Sequence, residues 1–157
     1  MDRAHHLLTA EGFLDLGMAK EAWDELDEIA PSDRAHPTVL GMRLRILEAM
    51  EQWQMGAEIA KGAVRAYPEE FHLRLFGATH IRQLEGLEEA LRFLQEGAST
   101  FRNQPAFWFS MACLHCQLGD LETTTEFTRL AVDLDRSFQM KVLDHPDLSA
   151  LRASWES

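Results

Sequence analysis

The sequence predicts an all-α chain in which one helix–turn–helix unit occurs four times and a final helix closes the array. Three observations lead there. The chain matches itself at a spacing of 34 residues with no insertion or deletion. Each copy carries two apolar stretches with helical spacing. Small residues recur in fixed columns, where a facing helix can approach closely.

The copies run 3–36, 37–70, 71–104 and 105–138. Ala22, Gly56, Ala90 and Thr124 form a small column, and Leu16, Met50, Leu84 and Leu118 a large apolar one. Ile29, Ala63, Gly97 and Ala131 stay in step, as do Ala30, Val64, Ala98 and Val132.

In the first copy, Gly12 falls inside the first helix. Glycine there costs about 0.5–1 kcal/mol relative to alanine, which predicts a short or frayed helix. After a break near Leu16, a second helix runs through Trp23 and Leu26 and stops near Pro31. Pro37 opens the second copy, at a position whose N–H has no helical partner in any case. Its second helix passes through Ile59 and Ala63 to Pro68. The third copy turns near Leu84, and its second helix passes Leu91 and Leu94 to Arg102. Pro105 opens the fourth copy, whose turn is Gly119-Asp120. Glycine tolerates the left-handed conformation that follows a helix end. The fourth second helix stops near Arg136.

One hairpin leaves an apolar face bare, so neighbours must stack, and the last face needs a cover. Residues 139–157 supply a closing segment with an amphipathic helix in which Leu148, Leu151 and Trp155 recur at helical intervals, with Asp144 or Asp147 as its cap; the pattern leaves open whether Phe138 to Leu143 joins that helix or bends away from it. Residues 1–157 thus form a single domain.

Composition narrows the function classes. Apolar residues make up 46% of the chain, which argues against disorder, and no apolar run is long enough to span a membrane. With 15 Lys+Arg against 26 Asp+Glu, the net charge of -11 opposes nucleic-acid binding. The acidity is uneven: residues 1–36 carry nine acids and three bases, residues 37–104 nine and eight. Such a region is a solvated face or an attraction for a basic partner. The opening MDRAHHLLTAEGF has no basic segment leading into an apolar core, so no secretory signal is expected. Two cysteines make no disulfide framework, and a reduced, cytoplasmic location is the expectation.

The stretch Cys113-Leu-His-Cys116 invites a metal or redox reading. Both thiols fall on the first helix of the fourth copy, three residues apart, and a structural zinc site needs about four ligands. No second cysteine pair exists, and the spacing of His72 and His80 does not converge on these thiols. His115 occupies the column of Phe13, Leu47 and Ile81, which predicts packing against the partner helix. No metal site and no cofactor are therefore expected. GxSxG, GxxxxGK[ST] and HExxH are all missing, so the chain reads as non-catalytic. The His5-His6 pair sits at a terminus expected to be mobile, and Glu88-Glu89 reads as solvated surface.

In period and small columns the sequence resembles the tetratricopeptide repeat (TPR) family. The fourth copy carries the most of its pattern: Trp108, Ala112, Gly119-Asp120-Leu121 and Ala131. Trp53, Gly56, Ala63 and Pro68 match in the second copy, Ala78, Leu87, Ala90 and Leu94 in the third, and Ala10, Phe13, Gly17 and Ala22 in the first. The resemblance implies a right-handed superhelical array whose first helices line a concave groove. That groove would take Leu7, Leu8, Glu11, Met42, Arg45 and Glu48 from the first two copies. His72, Leu75, Phe76, Thr79 and Arg82 follow from the third, and Phe109, Cys113, Cys116 and Gln117 from the fourth.

The family's carboxylate clamp for acidic chaperone tails needs Lys and Asn where this chain has Leu7 and Glu11, so that role is not carried over. Arg45 and Arg82 lie on one side of successive hairpins, placed to engage a carboxylate. The resemblance implies a scaffold holding a protein or peptide partner in the groove. The alternatives are a chaperone for an exported partner, a self-associating structural module that would be a homo-oligomer, and a thiol or metal protein using Cys113 and Cys116.

Overall fold

The computed structural model describes all residues from Met1 to Ser157, and it contains no strand. Its contacts divide into two compact units, Met1–Leu84 and Glu85–Ser157.

The first unit holds α1 (Arg3–Asp15), α2 (Ala19–Asp27), a 3-10 turn (Pro31–Asp33), α3 (Pro37–Ala49), α4 (Trp53–Ala66) and most of α5 (Phe71–Glu85). Despite Gly12, α1 runs its full 13 residues. Asp2 caps it by accepting the His5 amide at 2.9 Å. His6 is not part of a mobile end: it is buried, and its Nδ1 lies 2.7 Å from Glu25 Oε1 on α2. Helices α1, α2 and α3 share a core of Ala10, Ala22, Leu26, Ile29, Val39, Met42 and Ile46. At the edge of that core the Arg43 guanidinium lies 4.3 Å above the Trp23 ring and donates to Asp27 at 3.0 Å. Arg34 donates to the carbonyl oxygens of Asp27 and Ile29 and so satisfies the open end of α2.

The second unit holds α6 (Leu87–Gln95), α7 (Ala98–Phe101), α8 (Pro105–Gln117), α9 (Leu121–Leu134), α10 (Phe138–Asp144), a 3-10 turn (Pro146–Leu148) and α11 (Ser149–Ser154). The continuous second helix expected in the third copy is two pieces. Gly97 breaks it, with backbone φ -92 and ψ 3. In the fourth copy Trp108 packs on Phe107 and Phe127 and donates its indole N–H to the Arg102 carbonyl at 2.7 Å. His115 lies edge-on to Phe127 of α9, the packing its column predicts. Asp120 caps α9 by accepting the Thr123 amide. Hydrogen bonding from the Thr123 side chain and amide holds the Asp120 carboxyl below the ordinary carboxylate range, with His115 adding to the effect.

The turns between paired helices follow the period closely. Gly17 and Gly119 have φ of +75 and +86, and the matching position in the second copy is Glu51, with φ +55. A side chain in that region is strained. The third turn comes one residue later, at Gly86.

In the closing segment, Phe138–Asp144 forms a helix of its own and does not join the last one. Pro146 disfavours helical backbone at the residue before it, and His145 is extended (φ -68, ψ 127). The chain therefore makes α10, the 3-10 turn and α11. Neither Asp144 nor Asp147 caps α11, whose first boundary residue is Leu148. His145 instead caps the 3-10 turn, its Nδ1 accepting the Asp147 amide at 3.2 Å. Arg152 then ties the segment together, donating to the carbonyls of Val142 at 3.0 Å and His145 at 2.8 Å.

The small site of α8 is fully enclosed: Ala112 is 0% exposed. Ala112→Trp is expected to cost at least about 1–3 kcal/mol by overpacking, read as a lower midpoint in urea. An unchanged midpoint would contradict the packing register.

Candidate functional site

The predicted first-helix face is best developed on α3 and α5. Proline at the start of α3 and the helical spacing of Thr38, Met42 and Arg45 place these three along one side of that helix. On α5, His72 and Phe76 are spaced by four and meet edge-to-face, with centroids 6.1 Å apart. Together with Gly41 they line a cleft of about 320 Å³. Gly41 is what lets His72 come close, because a Cβ there would sit 2.7 Å from the imidazole Cδ2. His72 Nε2 lies 3.1 Å from the Pro37 carbonyl and Nδ1 lies 3.5 Å from Glu70, so both ring nitrogens are engaged and the ring is held in place.

Arg45 does not stand alone over this cleft. Its guanidinium contacts Glu11 Oε1 at 3.2 Å, joining positions 34 residues apart in equivalent columns. Both side chains are partly exposed, so the pair is a modest interaction and an incoming carboxylate could compete for the guanidinium. The expectation of two arginines waiting for a ligand missed this internal partner, although the shared column of Glu11 and Arg45 is visible in the sequence.

The remaining predicted residues of the first unit divide by exposure. Leu8 is 70% exposed, and Glu48 is also at the surface. Leu7, Leu75, Thr79 and Arg82 are half-buried, and Leu7 packs against the core beneath α1. Met42 is almost covered, so it offers the floor of the cleft more than its wall.

In the second unit the predicted residues are mostly core. Phe109, Cys113 and Cys116 lie in one cluster with Ala131, Phe138, Val142, Leu148 and Leu151. The closing segment seals this part of α8, which is why a residue pattern shared with α3 and α5 here meets protein and not solvent. Gln117 is half-buried, with its Oε1 enclosed and lacking a hydrogen-bond partner. Neither cysteine forms a disulfide, and Cys113 Sγ lies 3.9 Å from His145 Nδ1. No helix is long and apolar enough to cross a membrane.

No protein-family model matches the chain, and no curated protein matches it in sequence. Solved structures do. The crystal structure of TTC0263, a thermophilic TPR protein in Thermus thermophilus, superposes with a TM-score of 0.79 at 15% identity, covering 97% of this chain and 82% of that one. MamA 41-end from Desulfovibrio magneticus RS-1 gives a TM-score of 0.66 at 16% identity, with 98% and 90% covered. YrrB, described as a TPR protein with an unusual peptide-binding site, gives 0.61 at 16% identity, with 94% and 81% covered. The chain has a TPR-type, all-α repeat fold.

Proposed function

We propose that this protein is a non-catalytic interaction scaffold that holds an extended or helical peptide segment of a partner protein on the α3–α5 face. The cleft bounded by Met42, Arg45, His72 and Phe76 carries this reading. It offers an apolar floor, two aromatic-type rings and one guanidinium, which suits a peptide with an apolar anchor next to a carboxylate. The TPR-type fold supports an interaction role, and one structural neighbour is described as peptide-binding.

The test is selection of a displayed peptide library on the immobilised protein, followed by titration of the selected peptide. Arg45→Glu should weaken binding by about tenfold or more, the scale of one charge-assisted hydrogen bond. Glu11→Gln should strengthen binding, because it releases Arg45 from its internal partner. Arg45→Glu combined with Arg82→Glu should retain full helicity by circular dichroism. Selected peptides that bind the double variant as tightly as the wild type would overturn the assignment of this face.

A further inference from the structure

The thiol, imidazole and carboxylate of Cys113, His145 and Asp147 converge beneath the closing segment: one ligand atom from each lies within 4.8 Å of the other two. We propose that these residues form a binding site for a borderline-soft divalent cation of the Zn²⁺ type, with three protein ligands and one position left for water or an added ligand. The pair suggested by the sequence, Cys113 with Cys116, is not the one the fold assembles.

The ligand types suit such an ion. Zinc accepts thiolate, imidazole and carboxylate together, at about 2.3 Å for sulfur and about 2.0–2.2 Å for nitrogen and oxygen. Those lengths put tetrahedral ligand atoms about 3.3–3.7 Å apart. The Cys113 Sγ to His145 Nδ1 distance of 3.9 Å is already close to that spacing. Calcium and magnesium prefer all-oxygen sites and fit the thiol poorly.

The surroundings hold the ligands in place. Phe109 packs edge-on to the His145 ring at 5.4 Å, and Arg152 fixes the His145 carbonyl at 2.8 Å. Pro146 sets the backbone between the two closing-segment ligands. The His145 nitrogen nearest the thiol now accepts the Asp147 amide at 3.2 Å, so metal uptake exchanges that hydrogen bond for coordination. The cysteine proton leaves as the thiolate forms, and binding releases it to solvent. His145 also borders a shallow cleft of about 250 Å³ with Met140, Lys141 and Asp144. Once bound, the ion would join α8 to the closing segment, so its affinity would add to the stability of that segment.

Co²⁺, titrated into metal-free full-length protein, is the direct probe. The expected result is a thiolate-to-cobalt charge-transfer band that saturates at one ion per chain and is displaced by Zn²⁺. Cys116→Ser should keep the band and Cys113→Ser should lose it. Asp147→Asn, at a partly exposed position, should weaken binding by at least tenfold while leaving helicity unchanged, which guards against misfolding of the buried cysteine variant. Zn²⁺ should also slow amide exchange across residues 138–154 in the wild type. A wild-type protein that develops no thiolate band would overturn the proposal, as would a band that depends on Cys116 instead of Cys113.

Discussion

Gly56→Ala is expected to destabilise the protein by about 2–3 kcal/mol, although alanine is the better helix former by about 1 kcal/mol. Gly56 lies in α4, and a Cβ added there would land on the His80 ring of α5, against Nδ1, Cε1 and Cγ. The ring has nowhere to go. His80 is completely buried, its Nε2–H donates to the Leu44 carbonyl at 2.8 Å, and Trp53 packs beside it with centroids 5.5 Å apart. Moving the ring would break a buried hydrogen bond, which alone costs about 1–3 kcal/mol.

Two other helical glycines serve as controls. A Cβ at Gly12 or Gly62 meets nothing within 4 Å, so Gly12→Ala and Gly62→Ala should each stabilise by about 0.5–1 kcal/mol. Urea denaturation measures all three. A cycle with His80→Ala isolates the cause, since Gly56→Ala should do little harm once the ring is gone. Equal shifts for all three glycine variants would mean that the Gly56–His80 contact does not exist.

The second large effect is expected in the closing segment. Leu148 and Leu151 are 0% and 2% exposed and cover Phe109, Cys113 and Cys116. Each change to alanine should cost about 2–5 kcal/mol, the usual range for buried leucine. The pair shares one cluster, so the double variant should lose less than the sum. The thiols give an independent reading. Burial of both thiols predicts that in the wild type they react when the segment opens, and every 1.4 kcal/mol of lost stability raises an open population about tenfold. Leu148→Ala with Leu151→Ala should therefore accelerate reaction of Cys113 and Cys116 with an aromatic disulfide reagent by at least tenfold. Fast thiol reaction in the wild type, with no change in the variant, would show that the segment is not a cover.

Helix positions were legible in the sequence because periodicity acts locally. The spacing of apolar residues, Pro37 and Pro105 at helix starts and Gly17 and Gly119 at turns each depend on a few neighbouring residues. The same locality explains the misses. The break at Gly97 was marked by a helix-disfavouring residue, and the apolar pattern running through it concealed the interruption. The division of the closing segment at His145-Pro146 was left open by the same pattern. The Glu51 turn had no glycine to announce it, and only the repeat register points to its left-handed backbone.

The candidate site was legible in part. The family resemblance put Met42, Arg45, His72 and Phe76 on the groove side of their helices, and these four side chains border one cleft. The columns placed Phe109, Cys113 and Cys116 on the equivalent side of α8, where the closing segment covers them. A repeat pattern records which side of a helix a residue occupies, but not what is laid over that side.

By itself, then, the sequence determined the repeat length, the helical pairs, the small columns and the lack of familiar catalytic motifs, all of which follow from short-range spacing. Only the tertiary structure decided that His80 fills the space left by Gly56, that Glu11 engages Arg45 and that Cys113 meets His145 and not Cys116. Those contacts join residues 24 to 34 positions apart. They depend on how one helix is laid against another, and side-chain shape and hydrogen bonding settle that choice after the local pattern has done its part.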